Sequence, residues 1–217
     1  MTPEEISQLS LNFQMRHDLQ GEFRNVLAHW TIDVISTTED PSAFYGLRET
    51  IVGSIDIFDA TIGHPALYEA LDSYSMDLTR VADALVVPSS GELKEQVEER
   101  LEFVGGHLLV LNEVRLDEDW RGSGLGALLA GEALVALSCG AQLAATVPGS
   151  LPDPPGHDGP KKTAIEVRQA TTKLEQVWMQ IGFEALADGV WIVDLAMNHL
   201  YERVNALRAR HDLQEQP

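Results

Sequence analysis

The chain has 217 residues, is 44% hydrophobic and 23% charged, and carries 34 acidic against 15 basic side chains for a net charge of −19. That composition suits a globular protein with one substantial core, and a surface so acidic, without a basic stripe, argues against a nucleic-acid backbone as partner. No apolar run approaches the roughly 20 residues that span a bilayer, no secretory leader is visible in Met1-Thr2-Pro3-Glu4-Glu5, and the single cysteine, Cys139, excludes an internal disulfide and is expected to pack in the core. The expectation is a cytoplasmic protein with no nucleic-acid and no membrane partner, an oligomer being compatible with everything in the chain.

Thr2-Pro3-Glu4-Glu5 reads as a capping box with proline at the first helical position, which predicts a helix to about Val26. Trp30 to Ser36 alternates like a half-buried strand. Asp40-Pro41-Ser42 breaks the chain. Arg48 to Phe58, rich in β-branched residues, reads as another strand with Gly53 as a candidate bulge. His64-Pro65 then opens a helix with Leu67, Leu71, Tyr74, Leu78, Val81 and Leu85 on one face. Tyr74 and Met76 are expected in the core. Val87-Pro88-Ser89-Ser90-Gly91 stops that helix, and a short acidic one is expected from about Glu92 to Leu101.

His107 to Leu116 is an apolar strand. Leu125 to Leu137 is apolar nearly all round, which predicts a helix buried on both sides. Gln142 to Val147 is a short strand. Residues 148–160 hold five prolines and three glycines, too many for a regular element, and read as a long loop. A helix is expected from about Thr163 to Ile181, with Val167, Ala170, Leu174, Val177 and Ile181 on one face and Gly182 as its stop. Asp188-Gly189 between Phe183–Ala187 and Val190–Leu195 signals a type I′ hairpin. A last helix spans about Met197 to Arg210.

The most informative segment joins the apolar strand to the apolar helix: Trp120-Arg121-Gly122-Ser123-Gly124-Leu125-Gly126-Ala127. A glycine-rich turn there aims several backbone N–H groups, and the positive end of the helix dipole, at one point, which suits a diphosphate. A P-loop would need Lys and Ser or Thr after the last glycine, where Ala127-Leu128 stands. A Rossmann-type nucleotide-binding turn fits Gly122 to Ala127 better, but the carboxylate expected about 20 residues on is missing from Gln142 to Thr146.

The third reading is a resemblance. Arg121 with Gly122, Gly124 and Gly126 resembles the coenzyme-binding motif R-x-x-G-x-G of the GNAT acetyltransferases. Leu116, the polar Asp117 to Asp119 and Trp120 precede it as they do in that family. Trp178-Met179-Gln180-Ile181-Gly182-Phe183 and a closing hairpin follow it in the same order. The similarity covers residues 105–196 best, within what reads as one domain over 1–217, and the helices at about 64–101 look like an insertion.

What this resemblance implies is an α/β (α+β) fold: a GNAT-like, mixed, mostly antiparallel twisted sheet flanked by helices. It also implies an acyltransferase moving an acetyl group from acetyl-CoA to an amine, expected to be a small-molecule or peptide amine, with cationic ones favoured by the acidic surface. The N–H groups of Gly122, Ser123, Gly124, Leu125, Gly126 and Ala127 would hold the diphosphate, Arg121 would add charge, and the backbone of Val114 and Leu116 would pair with the pantetheine arm. Arg115, Lys161 and Lys162 are further candidates for neutralising the coenzyme.

Glu113 is the candidate base, expected on the same sheet face as Leu111 and Arg115, with a plain ion pair as the alternative. Trp178 stands where many family members carry a tyrosine as general acid, a role tryptophan cannot fill. A catalytically silent acyl-CoA binder therefore stays open beside the enzyme, as does the Rossmann reading. The histidines, His107 and His157 included, show no metal-ligand spacing, and no metal is expected.

Overall fold

The structure, a computed structural model, describes residues 3–16, 21–102, 105–149, 163–196 and 198–213. Its frame is a seven-stranded sheet: β1 (Leu9–Arg16), β2 (Leu27–Glu39), β3 (Leu47–Thr61), β4 (His107–Leu116), β5 (Ala141–Thr146), β6 (Glu184–Ala187) and β7 (Val190–Asp194). The strand order is β1-β2-β3-β4-β5-β7-β6. Only β4 and β5 run parallel; every other neighbouring pair is antiparallel. The expected mixed, mostly antiparallel sheet is present. A doubly wound Rossmann sheet, which is built of parallel strands, is excluded.

Each sheet face carries its own core. On one side Ile32, Ile55, Ile57, Leu109 and Leu111 pack against α5 (Leu125–Leu137) and α7 (His199–Arg210). On the other, Phe58, Ala60, Leu108, Val110 and Leu143 pack against α2 (Leu67–Asp72), α3 (Met76–Leu85) and α4 (Glu95–Glu98). Strand alternation sends successive side chains to opposite cores. α5 is apolar apart from Glu132 because it lies between the sheet and α7, and eight of its residues are buried.

Several expectations are corrected. The N-terminal helix α1 is only Pro3–Ser7, and β1 follows at once. Leu9, Leu11 and Phe13 repeat every second residue and pack on the first core, so the edge strand beside β2 prevails over the helix start signal. The helix expected after Pro65 is two helices, because Ser75 caps a new one: its side chain accepts from the Leu78 N–H at 3.3 Å. The leucine and valine face persists across the break, but Tyr74 and Met76 are exposed at 53% and 74%. The acidic helix shrinks to α4, four residues long.

Cys139 lies beyond the end of α5 and is exposed, not core. The helix α6 (Ala164–Met179) starts with a capping box of Thr163 and Glu166, but its expected apolar face is buried only toward its end: Val167 is exposed, Leu174 and Val177 are half-buried, and Trp178 and Ile181 are buried. The 148–160 loop, Lys161 and Lys162 lie largely or wholly outside the described residues.

Other turns follow the reading. Asp40 stops β2; its Oδ1 accepts from Ser42 Oγ at 2.5 Å and Ser42 N at 2.9 Å, and these bonds hold its carboxyl below the usual range. Asp188 and Gly189 both have positive φ, 51° and 79°, as a type I′ turn requires.

Candidate functional site

The parallel pair β4–β5 is hydrogen-bonded from His107 with Ala141 to Leu111 with Thr146 and then parts. At the apex Thr146 Oγ1 donates to the Leu111 carbonyl at 2.9 Å. Beyond it, β4 runs on to Leu116 with no strand on its β5 side among the described residues. The gap opens into a cavity of about 660 Å³ lined by β4 residues 111–116, by Arg121, Gly122, Gly124, Gly126 and Ala127, and by Leu174, Val177 and Trp178 of α6.

The glycine turn closes one end of this cavity. A short 3-10 turn, Glu118–Trp120, brings the chain from β4 to Gly122. Gly122 and Gly124 have φ of 84° and 85°, where an L side chain is strained, and Gly124 is the N-cap of α5. Among the described residues the N–H groups of Gly122, Ser123, Gly124, Leu125 and Gly126 donate to no other backbone carbonyl, whereas the Ala127 N–H is committed to Gly124 O at 3.2 Å. A helix start leaves such donors for side chains, water or a ligand. Arg121 Nε donates to the Leu116 carbonyl at 2.6 Å, which leaves the outer guanidinium nitrogens. Ser123 and Leu125 do not line the cavity, and Leu125 is buried in the core, so only their backbone is offered at the turn.

Gly126 has a different reason to be small. A methyl group built on it would meet nothing nearer than Leu116 Cδ1 at 4.0 Å. Protein packing does not demand glycine there.

The other side of β4 departs from simple alternation. Asp56 pairs with Glu113, but Ile57 pairs with Leu111, so Asn112 is an extra residue in the ladder. This bulge shifts the pattern by one: Leu109, Leu111, Val114 and Leu116 share the first core, while Glu113 and Arg115 turn to the face of Leu108 and Val110. Glu113 is therefore on Arg115's face as expected but not on Leu111's. Glu113 and Arg115 form an ion pair through Oε1 and Nε. Beside them on β3, Asp56 Oδ1 receives His29 Nε2 at 3.0 Å and Thr31 Oγ1 at 3.2 Å, and His29 stacks on Phe58 with centroids 4.4 Å apart. Asn112, Thr146, Asp56 and His29 were not singled out by the chain itself. Their roles arise from pairing between distant strands.

Trp178 is 6% exposed and meets Phe183 edge-on, with centroids 6.5 Å apart. It forms an apolar wall of the cavity. Among the described residues no three metal-ligating side chains converge, and no helix is long and apolar enough to cross a membrane.

No protein-family model and no curated protein matches the chain. Solved structures match over most of its length at low identity. AtaTR bound with acetyl-CoA is 12% identical over 93% of this chain and 98% of its own, with a TM-score of 0.39. AtaT complexed with acetyl-methionyl-tRNAfMet is 12% identical over 89% and 99%, with a TM-score of 0.40. A KacTA–DNA complex is 10% identical over 94% and 99%, with a TM-score of 0.41.

The exclusion of nucleic acid, and the small-molecule or peptide amine expected in its place, do not stand beside these findings: two of the three structures hold nucleic acid. Net charge does not set local recognition. With a Debye length of about 8 Å, recognition is decided by local groups. The strand order, the one parallel pair that splays, the bulged central strand and the glycine turn make the fold of this chain GNAT-like.

Proposed function

We propose that the protein is an acetyl-CoA-dependent N-acetyltransferase. The observation that carries this reading is the set of backbone amides at residues 122–126 left without carbonyl partners at the mouth of a cavity between two splayed strands. The diphosphate sits on those amides, at the positive end of α5. The pantetheine arm lies along the edge of β4 that β5 leaves, from Leu116, whose carbonyl Arg121 holds, toward Asn112, with the thioester at the bulge.

There a β4 N–H polarises the thioester carbonyl. The acceptor amine loses a proton, attacks the carbonyl carbon, and the C–S bond breaks as the C–N bond forms. An alkylammonium of pKa about 10.4 is only about one part in a few thousand neutral at pH 7, so a base speeds the step. Glu113 is the carboxylate at that point of β4, and Arg115 holds it in place. Trp178 donates no proton, but a thiol of pKa about 8.5 leaves without an acid. The second reading, an acyl-CoA binder without turnover, is favoured by that tryptophan alone.

The test is calorimetry with CoA followed by thiol release from acetyl-CoA. An aminoacyl-tRNA, whose acetylated form AtaT holds, is the first acceptor to try. Binding with acceptor-dependent thiol release supports the enzyme. Binding without release across acceptors supports the silent binder, and absence of CoA binding removes both.

A further inference from the structure

We infer that the end of the C-terminal helix α7, through His211 and Arg210, supplies hydrogen-bond donors, one of them the Arg210 guanidinium, to the coenzyme's diphosphate; this rests on the coenzyme reading above. The helix is locked onto α5 in one register. Leu200, Val204 and Leu207 are buried against it. Gly131 lets the two helices approach closely, since a methyl group there would lie 2.5 Å from Val204 Cγ2. Arg208 grips Glu132 of α5 with both arms of its fork, Nη2 lying 3.1 Å from Oε2 and Nε against Oε1.

That register brings Arg210 and His211 beside two residues that line the cavity. His211 Nε2 lies 4.0 Å from the Cβ position of Gly124, the N-cap glycine of α5. Arg210 Nη1 reaches Gln180 Oε1 at 3.5 Å, and Gln180 lines the cavity. The need for them is electrostatic. The chain is strongly acidic and the coenzyme is a polyanion. Of the two cations that line the cavity among the described residues, Arg115 is paired with Glu113, and Arg121, held through its Nε by Leu116 O, offers the polyanion only its outer guanidinium nitrogens. Donors from outside the sheet complete the site, and α7 places two beside the turn, the Arg210 guanidinium and the His211 ring. Basic residues in a last turn also complement the helix dipole, but that role is indifferent to ligand.

The experiment uses the full chain with His211→Ala, Arg210→Ala, the double variant and His211→Lys. Affinity for CoA is read by calorimetry. Affinity for acetylpantetheine, which has the thioester arm and no diphosphate, is read from backbone amide shifts on titration. Each alanine variant should weaken CoA about fivefold and the double variant by more than tenfold, as for partly exposed charge-assisted contacts. Acetylpantetheine should bind the variants as it binds the parent, and His211→Lys should keep most of the CoA affinity. Unchanged CoA affinity in the double variant overturns the inference, and so does an equal loss for both ligands, which would mean that α7 merely shapes the cavity. A parent protein that binds no CoA overturns the inference and the coenzyme reading together, whereas a parent that binds and a double variant that binds equally overturn the inference alone.

Discussion

Asp56 on β3 stands directly across the ladder from Glu113 on β4, and the next recorded pair, Ile57 with Leu111, skips Asn112. Two acidic residues therefore stand opposite each other where β4 changes its pattern and parts from β5. Each has its own partner: Arg115 for Glu113, His29 and Thr31 for Asp56. The bulge thus does two things. It turns Glu113 and Arg115 away from the core shared by Val114 and Leu116, and it sets their charges beside the site proposed for the thioester.

Replacing Glu113 by Gln keeps the shape and removes the charge. If Glu113 takes the acceptor's proton, kcat falls by about 100-fold or more while CoA affinity stays within about twofold. Steady-state kinetics with calorimetry checks both. Arg115→Ala should instead lower stability by about 1 kcal/mol, because it strands a mostly buried carboxylate; its Arg115 partner is half exposed, which keeps the cost modest.

Gly126→Ala separates folding from binding. The methyl group finds open space within the protein, and alanine suits a helix better than glycine by about 0.5–1 kcal/mol. Thermal unfolding should occur at the same or a higher temperature. CoA affinity should fall by about tenfold or more, because a methyl group stands where the diphosphate must approach the amides.

Gly53→Ala tests the opposite case. Its Cβ would lie 2.5 Å from the Arg115 carbonyl oxygen and 2.6 Å from Leu116 Cδ2. Backbone cannot yield as a side chain can, so a loss of about 2 kcal/mol or more is expected in denaturant unfolding. The strain falls on the strand that presents Glu113 to Leu116, so CoA affinity should drop as well.

Trp178 is read as a wall and not as an acid. Trp178→Phe should leave kcat within about threefold, far less than loss of a general acid would cost. Trp178→Ala opens a cavity behind Phe183 and should cost about 3–5 kcal/mol. Kinetics on the first and denaturation of the second decide it.

The parts of this fold that were legible in the chain are those set by local chemistry. Gly122 and Gly124 need positive φ, Asp188-Gly189 forms the hairpin turn, Thr163 with Glu166 caps α6, and the near-continuous apolarity of Leu125 to Leu137 marks a helix buried on two sides. What escaped depends on partners far away. The alternation of Leu9, Leu11 and Phe13 has meaning only beside β2, so a capping signal outweighed it. Ser75 interrupts a continuous apolar face because its hydroxyl caps, which spacing alone does not reveal. Asn112 becomes a bulge only when β3 pairs on both sides of it, and that one residue decides which face Glu113 occupies. His29 meets Asp56 across 27 residues of chain, and His211 comes near Gly124 only once α7 has docked.

The most direct measurement follows the backbone amides during titration with acetyl-CoA. The account predicts saturable shifts of the Gly122, Ser123, Gly124, Leu125 and Gly126 amides together with Val114, while Asp188 and Gly189 at the far hairpin stay still. Saturating acetyl-CoA that leaves the 122–126 amides unmoved, or moves a different surface, would contradict it.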